Sequence, residues 1–402
     1  MAELVDMAHC NTSLVAEWLI DGARSAAEAD DVLAELCDRL TACGIPLWRV
    51  GVFVRTLHPQ IMGRRFLWRR ERGVEIRTAP YEMLDTDEFR DSPVTRVSTT
   101  GQSLRRQLAD PNCPMDFAVL HDLREEGATD YLVSPLVFTD GTVHIATWTT
   151  QQPDGFTPEQ LAGIEAIIRP LARVAEVRAL RRTAANLLDT YVGNHAGERI
   201  LGGRIRRGDT EAIDAAIWFS DMRGSTMLAE LLPPQGFIDL LNRYFDCQIP
   251  TILDHGGEVL KFMGDGLLAI FPIGDAAESE VCGRTLSAAR IACANIEGLA
   301  APELLANADR PRFGLALHLG RVLYGNIGSA GRLDFTCIGP AVNLAARIEK
   351  LAGKLGHAIL ASREFADCCG ADLARIGSFR LSGFAARQTV YGPAEKSSPA
   401  GP

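Results

Sequence analysis

Residues 215–226 read Ala-Ala-Ile-Trp-Phe-Ser-Asp-Met-Arg-Gly-Ser-Thr. The first five are apolar, and Ile217, Trp218 and Phe219 are types that suit a pleated, buried strand. The strand is expected to end at Asp221, and the turn Gly224-Ser225-Thr226 then opens a helix. This order fixes a carboxylate at a strand end, beside the free N–H groups of a helix N-terminus. Those groups suit phosphate oxygens, and the carboxylate suits a hard cation held between them. The same aspartate could equally do no more than cap the helix that follows.

Two further segments read in the same terms. Residues 256–271 form two short apolar strands joined at Gly264-Asp265-Gly266. Asp-Gly is an ordinary hairpin turn, and here it places Asp265 at a tip where an adjacent strand could present Asp221. The chain between them carries a stripe of Phe237, Leu241, Tyr244 and Ile252, so one helix over 237–255 is expected to pack on the sheet and return the chain. In residues 335–347 a strand ends at Gly339 and Pro340 takes the first helical position. Ala341, Leu344, Ala345, Ile348 and Ala352 make the buried stripe, and Asn343 and Arg347, four residues apart, share the opposite face. That face is either plain solvent surface or the wall of a cleft, where an amide and a guanidinium would hold a sugar and a phosphoryl group.

In this order the three segments resemble the motifs of class III adenylate and guanylate cyclases, over about residues 212–392. The resemblance implies an α+β fold with a ferredoxin-like catalytic domain. It implies that Asp221, Asp265 and the backbone carbonyl of Met222 bind two divalent metal ions per site, Mg2+ or Mn2+. Gly224, Ser225 and Thr226 would form a substrate-binding turn. Asn343 would orient the ribose, and Arg347 would stabilise charge developing on the α-phosphate. By the same analogy each site lies between two copies. One copy gives the aspartates and the other gives Lys261, Thr336, Asn343 and Arg347, so a homodimer has two equivalent sites.

Lys261 and Thr336 correspond to the pair that reads the purine. A lysine donates to N1 of adenine and a threonine accepts from its exocyclic amine. Guanylate cyclases similar to this family usually carry an acidic residue at the lysine position. Most adenylate cyclases have aspartate where Thr336 stands, and a threonine resembles the subgroup described as bicarbonate-responsive. The implied reaction is conversion of ATP to 3′,5′-cyclic AMP and pyrophosphate. The alternatives are a cyclase for GTP or a pyrimidine triphosphate, and a non-catalytic nucleotide-binding signalling dimer. Arg223 and Ser225 depart from the family pattern, which often has an apolar residue and a phenylalanine there. Arg223 would either reach phosphates or point to solvent. Arg380-Leu381-Ser382-Gly383-Phe384 lacks the lysine with which many relatives touch the terminal phosphates, and Arg380 or Arg387 would have to replace it.

Upstream, Asp21–Cys43 has helical spacing and stops at Gly44 with Pro46 beyond. Val50–Thr56 reads as a strand, and Tyr131–Thr149 as a hairpin turning at Asp140-Gly141. Residues about 25–178 loosely resemble a GAF domain, which would bind a small ligand or dimerise. Thr157-Pro158-Glu159-Gln160 is a capping box that starts a helix, and Pro170 is expected to kink it. A second helical stretch carries Leu180, Ala184, Leu187, Leu188 and Tyr191. The expected organisation is a GAF-like sensor domain over 1–155, a helical connector over 156–208, the catalytic domain over 209–393 and a disordered tail over 394–402. The connector is either packed on its own domain or a dimer-forming element. A small-molecule or protein regulator would act at the sensor.

The net charge of −10 argues against a nucleic-acid partner, whose reader carries a basic footprint. No run of about 18 uninterrupted apolar residues suggests a membrane span. The 10 cysteines are scattered without metal-ligand spacing, as expected of free thiols in a reducing cytoplasm.

Overall fold

A computed structural model describes residues 12–299 and 312–394. The tail expected to be disordered lies, from residue 395 on, outside the described residues. Contacts divide the chain into two units, Met1–Leu187 and Leu188–Pro402. Among the described residues no helix is long and apolar enough to cross a membrane, and the nine cysteines are all free.

The first unit contains helices α1 (Thr12–Ile20) and α2 (Ala29–Ala42), then strands β1 (Arg49–Arg55), β2 (Ile61–Arg69) and β3 (Gly73–Pro80). Helices α3 (Asp87–Arg90) and α4 (Pro93–Thr100), strand β4 (Leu104–Arg106) and helix α5 (Ala118–Glu125) follow. The hairpin of β5 (Asp130–Val137) and β6 (Val143–Thr150) leads into the long helix α6 (Pro158–Val192). The strands form one sheet in the order β3-β2-β1-β6-β5-β4. One face packs Val50, Val52, Trp68 and Trp148 against Leu36, Leu40, Ile164 and Ile168 from α2 and α6. The other packs Val133 and Ile145 against Val97 and Leu120 from α4 and α5.

Two expectations change here. The helix expected from Asp21 starts instead at Ala29, because Glu28 and Asp31 form a reciprocal capping box there. The helix of residues 12–20 was not anticipated. Pro170 lies inside α6, which is one helix of 35 residues. Its start is the expected capping box: Gln160 N–H donates to Thr157 Oγ1 at 3.3 Å, and Thr157 N–H donates to Gln160 Oε1 at 3.0 Å.

An ion pair between a buried carboxylate and a partly exposed guanidinium ties the sheet to the entry of α6. Asp130 is 0% exposed, Arg105 Nη2 donates to it at 2.5 Å, and Phe156 N–H donates to it at 3.0 Å. Arg105→Ala would strand that charge without its cation. We expect a loss of about 3–5 kcal/mol for the first unit, the usual cost of leaving a buried charge without its partner, read as a lower urea midpoint. An unchanged midpoint would contradict the structural role of the pair.

The second unit begins with α7 (Asn194–Leu201) and β7 (Thr210–Arg223). Helices α8 (Ser225–Leu231), α9 (Pro234–Asp246) and α10 (Ile249–Asp254) follow, then the hairpin of β8 (Glu258–Met263) and β9 (Gly266–Pro272). After α11 (Glu278–Glu297) come β10 (Arg312–Ser329), β11 (Arg332–Ile338) and α12 (Pro340–Leu355). The unit ends with β12 (Ile359–Ser362), α13 (Arg363–Cys369), β13 (Leu373–Phe379) and β14 (Gln388–Pro393). The sheet order is β13-β14-β12-β10-β7-β9-β8, with β11 paired to β10.

Alternation on the central strands sets the two faces of this sheet. Ala216, Trp218, Leu267, Ala269, Leu315 and Leu317 pack on Tyr244, Ile252 and Leu286 from α9, α10 and α11. Ala215, Ile217, Leu268 and Ile270 point the other way, onto Ala341 and Ala345 of α12 and Ala196 of α7. The single helix expected over 237–255 is two helices: Pro250, in the first turn of α10, has no N–H to continue the ladder of α9. The Gln248 side chain is fully buried and accepts from Ser220 Oγ at 2.7 Å, so the break is fastened to the strand that carries Asp221.

Candidate active site

The central pairing of β7 with β10 sets Asp221 opposite Gly314, and the pairing of β7 with β9 sets Ser220 opposite Leu267. The two-residue turn Gly264-Asp265 then falls beside the end of β7, since Met263 pairs with Gly266. A Cβ at Gly266 would stand 3.3 Å from Asp221 Oδ1 and 3.1 Å from the Ser220 carbonyl oxygen. Glycine at this position therefore leaves room for the Asp221 carboxylate against the hairpin. Asp221 and Asp265, far apart in sequence, interact directly. Burial first, then the charges of Asp265 and Glu349, push the Asp221 carboxyl up to about 7. Beneath them the buried Tyr244 hydroxyl is pushed up by burial and by both aspartates.

Two carboxylates forced together, partly out of water, form a site of unbalanced negative charge. All the donors are hard oxygens, a set that suits a cation such as Mg2+ or Mn2+. Among the described residues no group of three or more His, Cys, Asp or Glu side chains is placed to hold a metal. Any ion there would need backbone or substrate oxygens to complete its shell. The Met222 carbonyl is adjacent in sequence, while the Met222 side chain is buried in the core.

The raised value carries a stability consequence. The folded pKa of Asp221, about 7, exceeds the unfolded value of about 3.9. Its contribution is therefore fully present below the unfolded value and is lost as pH rises through about 7. In the presence of a chelator, Asp221→Asn should melt above the parent protein at pH 8, and the gap should shrink toward pH 5. A gap that does not vary with pH would contradict the crowding of the two carboxylates.

Arg223 takes neither of the two directions expected of it. Its guanidinium turns inward over Gly314 and Gly353, where a Cβ at either position would collide with it. Nη2 donates to the Glu349 backbone carbonyl at 2.8 Å and lies 2.6 Å from Glu349 Oε1. The contact to Oε1 is an ion pair by distance but lacks hydrogen-bond alignment, so the directed bond is the one to the carbonyl. Glu349 is buried, and burial raises its carboxyl. The sequence reading missed Glu349. The available signal was a carboxylate on the apolar stripe of α12, one residue after Ile348.

The other candidates are spread over several elements of the unit. Asn343 and Arg347 are both exposed on α12, opposite its buried stripe, and among the described residues Arg347 makes no ion pair. Gly224 precedes α8 with a left-handed backbone, φ 76, followed by Ser225 and Thr226 in the first turn. Thr336 is buried on β11. Lys261 does not bond Thr336: its Nζ donates to Asp334 Oδ2 at 2.6 Å, and that bond holds the Asp334 carboxyl below its usual range. Asp334 and Thr336 alternate onto the same face of β11, so the lysine reaches the outer of two polar residues in one row. Of the two arginines considered for terminal phosphates, Arg387 donates to the Ser378 carbonyl at 2.5 Å.

No family model matches the chain. Over 167 residues it is 29% identical to the terminal-differentiation-specific adenylate cyclase of Dictyostelium discoideum, covering 41% of this chain and 8% of that protein. Over 201 residues it is 31% identical to an uncharacterized protein of Mycobacterium tuberculosis, covering 49% of this chain and 34% of the relative. Among solved structures it is similar to the adenylyl cyclase CyaB from P. aeruginosa, at 25% identity and a TM-score of 0.41, over 48% of this chain and 99% of that one. The chain thus spans about a third or less of the length of these two relatives.

Proposed function

We propose that the second unit is a class III nucleotidyl cyclase domain that converts ATP to 3′,5′-cyclic AMP and pyrophosphate at sites shared by two copies of the chain. The observation that carries this reading is the convergence of Asp221 and Asp265 into one crowded carboxylate pair. The identity shared with the Dictyostelium adenylate cyclase supports it.

In this reading Asp221, Asp265 and the Met222 carbonyl hold two divalent ions, Mg2+ or Mn2+. When bound, the ions supply acidity to the ribose 3′-hydroxyl and neutralise charge on the departing pyrophosphate. The protein contributes position and charge. Backbone N–H groups of Ser225 and Thr226, at the first turn after Gly224, lie outside the helical ladder and are offered to phosphate oxygens. Asn343 orients the ribose, and Arg347 places its fork against the α-phosphate as negative charge grows there. Both are exposed and lie on a different element from the aspartates, which fits their serving the site of a partner copy. Lys261 and Thr336 read adenine, with Asp334 holding the lysine before nucleotide arrives. The six-stranded sheet and flanking helices of the first unit support a GAF-like sensor, and α6 supports a connector.

The test is a profile of all four nucleoside triphosphates with Mn2+ and with Mg2+, with the products identified. Cyclic AMP and pyrophosphate from ATP, with little product from the others, is the expected result. Cyclic GMP as the main product would move the reading to the GTP alternative. No cyclic product with either metal would leave the non-catalytic nucleotide-binding dimer.

A further inference from the structure

The first unit contains a cavity of about 410 Å3 between its sheet and helices α2 and α6. This volume falls in the range of roughly 300–1,000 Å3 typical of small-ligand pockets. Its inner wall is apolar: Leu33, Val52, Val54, Phe66, Leu171 and Val174 line it. Its outer wall is cationic, with Arg55, Arg64, Arg178, Arg181 and Arg182. Two carboxylates, Glu28 and Asp30, also line it, and Glu28 is engaged in the capping box of α2.

Arg64 is the residue that calls for an explanation. On β2 it shares a face with Phe66 and Trp68, which face the helical core, and it pairs across to Val54 on β1. An arginine therefore occupies a position where the strand pattern asks for an apolar side chain. Its Nε is buried and has no hydrogen-bond partner. Among the described residues no carboxylate lies within ion-pair distance of Arg55, Arg64, Arg181 or Arg182. Burial and the charge of Arg182 both disfavour the Arg64 cation. Arg178 is already committed, donating to the carbonyls of Ala26 and Ala27. Along α6 the cavity-facing positions pass from Leu171 and Val174 to Arg178 and Arg182, about one turn apart.

A pocket that is apolar at one end and holds unpaired guanidiniums at the other matches a molecule with the same asymmetry. We infer that this cavity binds an aliphatic carboxylate of medium chain length, with its tail among Val52, Phe66 and Leu171 and its headgroup between Arg64 and Arg182. A carboxylate matches the planar fork of arginine, and its single charge suits a wall where two acids already offset part of the positive charge. The site lies wholly within the first unit, and the inference does not depend on the cyclase reading.

Calorimetric titration of the full chain with decanoate, kept below its micellar concentration, tests this. Saturable binding of one decanoate per chain is expected, with decanol and decyltrimethylammonium much weaker. Arg64→Gln and Arg182→Gln should each weaken decanoate by about tenfold, the loss expected of a charge-assisted bond. Arg182 lies on a helix near the mouth, so its variant remains informative if Arg64→Gln fails to fold, and circular dichroism checks both. Absent saturable binding, as when a second copy fills the groove, overturns the inference. So does decanol binding as tightly as decanoate, or decanoate affinity unchanged in the folded variants.

Discussion

Asp265→Ala is expected to leave no measurable cyclic AMP formation, a loss of at least about a thousandfold, equivalent to roughly 4 kcal/mol of transition-state stabilisation. The reasoning starts from where Asp265 stands. It occupies a two-residue hairpin turn between β8 and β9, partly exposed, and no strand pairing depends on its side chain. Removing the carboxylate takes away one of the charges that raise Asp221, so the fold should survive the change and gain stability in the absence of metal. The expected signature is therefore an inactive protein with an unchanged or higher melting temperature. An active Asp265→Ala protein would contradict the role assigned to the pair. A variant that loses activity by unfolding would show a lowered melting temperature.

Arg347→Ala is expected to lower kcat by about 10²–10³-fold with a much smaller change in KM, because the charge it meets develops only in the transition state. Arg347 is exposed on α12, and its neighbours Ile348 and Ala345 carry the packing of that helix. A point charge in place of the planar fork should restore only part of the rate, so Arg347→Lys should fall between the two. A raised KM with unchanged kcat would reassign Arg347 to ground-state binding.

Local order made much of this legible in the sequence. A strand carrying Asp221 near its end (it runs on to Arg223, past the expected stop), a hairpin tipped by Asp265 and a helix started by Pro340 are each written within a dozen residues. Their signals are short-range: pleat alternation, an Asp-Gly turn and a 3.6-residue stripe. What stayed hidden depends on partners far apart in the chain. Arg223 turns inward because Glu349, on α12, waits there and because Gly314 and Gly353 leave space for it. The Gln248 side chain at the break between α9 and α10 is held by the Ser220 hydroxyl, on another element. Lys261 settles on Asp334 although Thr336 shares its face, a choice made by exposure and charge that residue types alone do not reveal. Pro170 lies inside α6, which continues through it with Ile168 and Leu171 on either side buried in the core.

The central claim is that the carboxylate pair of one copy works with Asn343 and Arg347 of another. Mixing Asp265→Ala and Arg347→Ala proteins in equal amounts tests it most directly. Each has little or no activity alone, but half of the randomly formed dimers would be mixed and each of these would carry one intact site, so activity should return to roughly a quarter of the parent level. If the mixture stays as inactive as its components while size measurements show that the chains have exchanged, the two sets of residues do not meet across an interface.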